Sequence, residues 1–312
     1  MSENNKIRVA LLAGGRSGER EVSLAGAAGF EAALDRDKYE LVRYDPKTDL
    51  IRLAEDADSI DVAFILLHGT YGEDGTMQGY LELLDIPYQG AGVLGSSLAM
   101  DKNMAKVLFR QQALPVASWL MAVPADKEDP ARLLGDLSLP LVVKPIREGS
   151  SLGMSVAKTV DELRDGICLA YEHDSDVMVE EFIQGREITV AVIGNNDLQA
   201  LPLIEIIPGE EFAFFDYKAK YEENASKEIC PADVSAKITK TAQRYAVDAH
   251  KALQLRGYSR TDMMLTDEGE LYILETNTIP GMTPTSLLPQ AAKEAGLDFT
   301  ALIDKLLSLA LE

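Results

Sequence analysis

Apolar residues along the chain fall into two rhythms, unbroken runs and helical stripes, and these alternate. Residues 7–12 form a continuous apolar run ending in Gly14-Gly15, residues 19–34 carry a helical stripe, and residues 62–67 form a second apolar run. Unbroken apolar strands separated by a helix predict a parallel sheet with helices on its faces. Glycines cluster at 90–95, a boundary after which 98–112 predicts a helix. Strands at 119–123, 141–144 and 155–158 follow, then a helix at 160–171 and a strand at 177–182. Gln184-Gly185 marks a second boundary. Strands 187–193 and 198–207 flank Gly194-Asn195-Asn196-Asp197, a strong hairpin signal. Residues 208–231 show no clear period, and so long a stretch inside a folded chain usually serves as a lid or a binding loop. A helix at 233–255, paired strands at 258–265 and 270–277, and an amphipathic helix at 299–311 complete the chain. The expected fold is α/β in three units: residues 1–96 around a parallel sheet, residues 97–184, and residues 185–312 around an antiparallel sheet.

The phase of the 258–277 hairpin carries the first chemistry. Side chains alternate across a strand, so Arg260 and Asp262 share a face and Thr261 takes the other. On the partner strand Glu275 and Asn277 share a face in the same way. A hairpin in register would gather Asp262, Glu275 and Asn277 as hard-oxygen groups beside Arg260. That set suits magnesium, with a cation ready for developing negative charge. Solvated charges on a surface hairpin would give the same letters, although four polar side chains in one phase before a Pro-Gly loop favour a site.

Composition narrows the classes. The 312 residues are 46 % hydrophobic and 26 % charged, as in an ordinary globular protein with a large core. Net charge is −21, which disfavours nucleic acid or an anionic membrane as a partner. Two cysteines, Cys168 and Cys230, imply no disulfide framework, and no apolar run approaches a membrane span. A cytoplasmic protein is expected.

Two loops at strand ends and one after a lysine add candidates. In residues 14–23, Glu19 and Glu21 stand where a phosphate would need bare amides; they suit a ligand ammonium group, or simply the positive end of the following helix. His68 opens the glycine-rich stretch HGTYGEDGTMQG, at the end of a strand where such sheets bind ligands, and is either structural or substrate-orienting. Lys102 and Lys144 are nucleotide candidates. Lys144 ends an apolar run, and the Gly/Ser-rich residues 149–155 that follow can wrap phosphates with amides and hydroxyls. Glu180, Glu181, Phe182, Ile183 and Glu187 fit either a hinge that pairs with adenine and ribose or a plain edge strand.

Taken together, these stretches resemble the D-alanine–D-alanine ligase family of the ATP-grasp superfamily over nearly the whole chain. The resemblance is carried by 14–23, 68–79, Met100-Asp101-Lys102, 144–154, DYKAKY at 216–221, and the hairpin with Pro280-Gly281-Met282-Thr283. It implies ATP-dependent joining of two D-alanine molecules through an acyl phosphate, for peptidoglycan precursor synthesis. It implies a three-domain ATP-grasp fold: a substrate-binding unit at 1–96, a central unit with a phosphate flap at 97–184, and a C-terminal unit at 185–312 with lid 208–231 and metal hairpin 258–281.

By the same resemblance Lys102, Lys144 and Ser151 meet the phosphates, Glu180, Phe182 and Ile183 the adenine, and Glu187 the ribose. Asp262, Glu275 and Asn277 match ligands of two Mg²⁺ ions, for which Mn²⁺ can substitute. Glu19 matches the carboxylate that holds the first D-alanine's ammonium, with His68 nearby and Ser150 and Tyr221 linking flap and lid to it. Lys220 approaches the transferred phosphate. Arg260 and the Gly281 amide match an oxyanion-stabilising pair, and Ser286 and Leu287 match contacts to the second D-alanine. The family also implies a homodimer. A ligase using D-serine or D-lactate as acceptor, or a non-catalytic nucleotide-binding module, are the competing readings. Two positions depart from the family pattern: Thr261 and Thr276 stand where aliphatic residues are usual. Both point away from the metal face, and we expect them to share a hydroxyl contact across adjacent strands.

Overall fold

A computed structural model describes residues 6–209 and 226–312. The apolar runs near the N-terminus form β1 (Ile7–Ala13) and β3 (Val62–Leu66), both almost wholly buried. Between them lie α1 (Arg20–Ala33) and β2 (Tyr39–Tyr44). The three strands make a parallel sheet in the order β2-β1-β3. This is the arrangement that buried strands joined through a helix require. After α2 (Leu50–Glu55) and β3, helix α3 (Thr76–Leu83) follows the glycine-rich loop that starts at His68.

The stretch expected as one helix over 98–112 is two: α4 (Val93–Met100) and α5 (Lys102–Gln111). Asp101 separates them with an extended backbone, and its carboxylate accepts from the Met104 amide at 2.9 Å. A capping aspartate restarts the helix, so Lys102 stands in the first turn of α5. Next, β4 (Trp119–Met121), β5 (Leu141–Pro145), β6 (Ser155–Ala157) and β7 (Val177–Glu181) form an antiparallel sheet in the order β4-β7-β5-β6. Helix α6 (Val160–Ala170) packs on β5 and β6, burying Leu163 and Ile167 against Val143 and Val179.

The third sheet has the order β11-β10-β8-β12-β13 and is antiparallel throughout. Its strands are β8 (Arg186–Ile193), β10 (Ile204–Pro208), β11 (Ser226–Ile229), β12 (Tyr258–Leu265) and β13 (Leu271–Asn277). The run 198–207 is broken: β9 (Gln199–Ala200) pairs with the end of β8, and the chain turns before β10. Residues 226–229, inside the stretch expected as a loop, pair with β10. Lys220, Tyr221 and the rest of the 216–221 motif lie outside the described residues. Helices α7 (Ala236–Ala252), α8 (Leu287–Glu294) and α9 (Phe299–Ala310) complete the fold.

Two cores join units that are separate in the chain. Leu302, Leu306 and Leu307 of α9 pack with Leu11, Phe30 and Phe64 of the first sheet's layer. Ala105 and Phe109 of α5 pack with Ile188, Met263 and Ile273 of the third sheet. These contacts fix the first and third sheets close to the hairpin that carries the charged residues.

Candidate active site

The β12–β13 hairpin closes in the register that alternation demands: Arg260 opposite Asn277, Thr261 opposite Thr276, Asp262 opposite Glu275. Buried Asp262 accepts from Arg260 Nε at 2.9 Å and Nη2 at 2.7 Å, from Thr189 Oγ1 at 2.5 Å and from Asn277 Nδ2 at 3.0 Å. Burial alone would lower the Arg260 pKa, but the facing Asp262 outweighs it and raises it, so the guanidinium stays charged. On the opposite face Thr261 Oγ1 and Thr276 Oγ1 lie 3.0 Å apart, both buried. The threonine pair is therefore a self-satisfied contact behind the charged face, as expected from the sequence. A β-bulge after Asp262 leaves Leu274 outside the register, and Leu274 and Glu275 both line the neighbouring cavity.

That cavity lies between the second and third sheets. Its apolar wall includes Val142, Met154, Phe182, Ile183, Met264 and Leu274. Its polar wall includes Lys102, Lys144, Ser151, Glu180, Glu187, Asp262 and Glu275, so the sequence-derived nucleotide residues converge on one space. Lys102 Nζ donates to the Glu148 carbonyl at 2.8 Å and lies 3.4 Å from Glu275 Oε2. Lys144 Nζ pairs with Glu180 Oε1. Burial works against the charged Glu180, yet Lys144 and Lys106 hold its carboxyl well below the usual range, at about 2. An apolar slot beside lysines and hydroxyls suits an aromatic base joined to a polyanion.

A second cavity adjoins the first, sharing Ser150, Pro208 and Glu275 with it. Glu19, His68, Arg260, Gly281, Ser286 and Leu287 are among the residues that line it. Glu19, at the start of α1 and buried, accepts a hydrogen bond from Ser150 Oγ. Side chains at Gly69 or Gly149 would bring Cβ within 2.9 Å of Glu19 Oε2, so glycine on both sides lets backbone close around this carboxylate. Ser150 and Ser151 both have positive φ, 49° and 59°, a conformation that costs non-glycine residues about 1 kcal/mol or more each. Ser286 precedes α8, and its Oγ accepts from the Thr283 amide at 3.0 Å. Burial lowers the His68 pKa first, and Arg260 lowers it too, against Glu19 and the Ile279 backbone. Burial therefore favours the neutral ring.

Two residues escaped the sequence reading. Glu73 accepts from the Gly69 amide at 2.7 Å and the Ile279 amide at 3.3 Å, tying the His68 loop to the chain after the hairpin. Burial, then the nearby Glu19, push its carboxyl up to about 8. Lys106 is wholly buried against Glu180. Its spacing of four from Lys102, between buried Ala105 and Phe109, was the available signal. Among the described residues no three His, Cys, Asp or Glu side chains are grouped to hold a metal. The hairpin instead offers two carboxylates and an amide oxygen, hard donors that fit Mg²⁺. No helix among the described residues is long and apolar enough to cross a membrane.

The chain matches known proteins along its length. Family profiles described as "D-ala D-ala ligase N-terminus" and "D-ala D-ala ligase C-terminus" match residues 43–91 and 108–308. A D-alanine–D-alanine ligase of Desulfotalea psychrophila is 58 % identical over 98 % of this chain and 96 % of its own. A crystal structure of the Bacillus anthracis D-alanine–D-alanine ligase complexed with ATP is 36 % identical, covering 98 % of this chain and 97 % of that one, with a TM-score of 0.85. A D-Ala:D-Ser ligase from Enterococcus faecalis is 33 % identical over 98 % of this chain and 100 % of that one, at TM-score 0.84. With identity this high over nearly the full length and the same fold, the chain belongs to the D-alanine–D-alanine ligase family.

Proposed function

We propose that this chain is an ATP-dependent ligase that joins two D-alanine molecules, releasing ADP and phosphate, with the labour divided among residues 1–96, 97–184 and 185–312. One observation supports the reading: an apolar slot beside Lys102 and Lys144 and a cavity lined by Glu19, His68 and Arg260 meet at Ser150, Pro208 and Glu275, beside the hard-oxygen hairpin. ATP and a carboxylate brought together there would react without leaving the enzyme.

A carboxylate is a poor electrophile. The first D-alanine's carboxylate attacks the terminal phosphate of ATP, giving an acyl phosphate and ADP. Lys102 and Lys144, with the 149–155 flap including Ser151, offset the charge crowding between the two anions. Asp262, Glu275 and Asn277 would hold Mg²⁺, which when bound neutralises triphosphate charge. Phe182 and Ile183 flank the base, Glu180 braces Lys144 behind it, and Glu187 takes the ribose. Glu19 seats the ammonium of the first D-alanine, His68 packs beside it, and Ser150 and Tyr221 latch flap and lid to it. Lys220 approaches the transferred phosphate. The second D-alanine's free amine then attacks the acyl carbon. Its carboxylate rests at Ser286 and Leu287, at the positive end of α8. Arg260 and the Gly281 amide receive the oxyanion, and phosphate departs. Exclusion of water protects the acyl phosphate meanwhile. Its nucleotide substrate points to the cytoplasm, and the family likeness to a homodimer, which sedimentation would check.

The test is phosphate release from ATP with D-alanine, L-alanine, D-serine or D-lactate, with products weighed by mass spectrometry. Release should require D-alanine, and its dipeptide should be the product. Release that ignores D-alanine would overturn the ligase reading. A depsipeptide or a mixed D-Ala-D-Ser product in preference would reassign the acceptor.

A further inference from the structure

Behind the nucleotide cavity lies an ion cluster that the proposed chemistry uses only in part. Glu180 sits in β7, opposite Trp119 of β4 and Val142 of β5. Its Oε1 accepts from Lys144 Nζ and its Oε2 from Lys106 Nζ. Lys144 lines the cavity; Lys106 does not, and it is 1 % exposed. Lys106 projects from α5 one turn after Lys102, and its Nζ lies 5.3 Å from the centre of the Trp119 ring, on which Arg110 also rests at 4.1 Å.

A lysine buried this deeply is costly, and hydrophobic residues commonly replace such groups at no loss of stability. Its presence therefore asks for a use. The charges give one. Glu180 and Lys144 alone sum to zero, and an ammonium bound to its own carboxylate has little left for a phosphate. Burial lowers the Lys106 pKa and Glu180 opposes that; with Lys106 charged the cluster carries one positive charge, and of its two lysines only Lys144 faces the cavity, beside Glu180.

We propose that Lys106 is a positioning residue for nucleotide binding: by engaging one oxygen of Glu180 and cancelling its charge, it leaves the Lys144 ammonium charged toward the phosphates of ATP. This rests on reading Lys144 as a phosphate-binding group. A purely structural Lys106, tying α5 to β7, is the competing account. It predicts a general loss of stability and rate with no preference among substrates.

The experiment measures kcat, the KM for ATP, the KM for D-alanine, and Tm in the full chain. Lys106→Met should raise the ATP KM roughly tenfold, the scale of one lost charge interaction in a partly shielded site, while kcat and the D-alanine KM stay within about threefold. Lys106→Arg should rescue most of the loss, because charge and a donor are kept. Adding Glu180→Gln to Lys106→Met restores one positive charge to the cluster, so the double variant should bind ATP better than the single one. Should Lys106→Met fail to fold, Lys106→Gln keeps a hydrogen bond to Glu180 without the charge and carries the same expectation. Lys144→Met is the control, and it should raise the ATP KM. If it does not, the phosphate role of Lys144 falls and this inference with it. If it does, yet the double variant is no better than the single, or both KM values rise together, the inference alone is overturned.

Discussion

The two cavities that meet at Ser150, Pro208 and Glu275 treat the same side chain in opposite ways. In the nucleotide cavity three carboxylates have cations against them, Glu180 with Lys106 and Lys144, Glu275 with Lys102, and Asp262 with Arg260, while burial raises the pKa of Glu148, which also lines it. Glu180 is held at about 2 despite burial. In the amino-acid cavity glutamates crowd one another. Glu73, half-buried near Glu19, is pushed up to about 8, and burial also raises Glu228 above its ordinary value. On the proposed function, one space receives anions and the other an ammonium that would relieve repulsion already present. Electrostatic sorting of this kind separates two substrates before any shape is read.

The contrast can be broken most severely at the shared wall. Glu275→Gln should lower kcat by about 10³-fold or more, as expected when charge stabilisation at a reacting phosphate is lost, with Tm within a few degrees of the parent. Near-normal turnover would show that the hairpin is not the charged centre. Next in size, Glu19→Gln should raise the D-alanine KM about 10²-fold and leave the ATP KM within about threefold, since a charge-assisted contact becomes a neutral one. Parallel rises in both constants would erase the division between the cavities.

The third test is of pH. Below about 4.5 Glu73 is protonated in folded and unfolded chains alike; between there and about 8 the unfolded chain releases its proton while the folded chain keeps it. The folded state then binds more protons, so this residue's contribution to stability is lost as pH rises through that window. Thermal denaturation in metal-free buffer should therefore show Glu73→Gln gaining on the parent from pH 5 to pH 8. A constant difference would deny the shift. The smallest effect belongs to the hidden face of the hairpin. Thr261→Val should cost about 1–3 kcal/mol by stranding the Thr276 hydroxyl, and the Thr261→Val/Thr276→Val pair should recover most of it, since both partners become apolar. Turnover of the double variant distinguishes a structural pair from a catalytic one; we expect it within about twofold of the parent.

The sequence made the hairpin legible because strand alternation is strictly local: one residue's phase fixes the next, so Arg260, Asp262, Glu275 and Asn277 could be placed together before any packing was known. The parallel sheet was legible for a similar reason, since β3 and, Arg8 apart, β1 are apolar on both faces. Elements without such a pattern were harder to read. The break at Asp101 depends on one side chain competing for the Met104 amide, and β2, with its mixed YELVRY, offers no clean period. Lys106 and Glu73 were missed for another reason. Burial and partners 74 and 54 positions away, Glu180 and Glu19, set their properties, and the one local hint, the spacing of Lys106 from Lys102, names neither partner. Resemblance supplied roles for residues such as Ser286 and Lys220 where local physics alone was silent.

The hydrogen bond from Ser150 to Glu19 has a kinetic corollary. It joins the loop proposed as the phosphate flap to the carboxylate assigned to the first amino acid, across 131 positions of chain. While that bond stands, Ser150, which lines both cavities, is tied to the proposed seat of the amino acid, so moving one disturbs the other. Binding should therefore be ordered rather than random, with ATP entering first, and dissociation of ADP should become the slow exit whenever an amino acid keeps Glu19 in place.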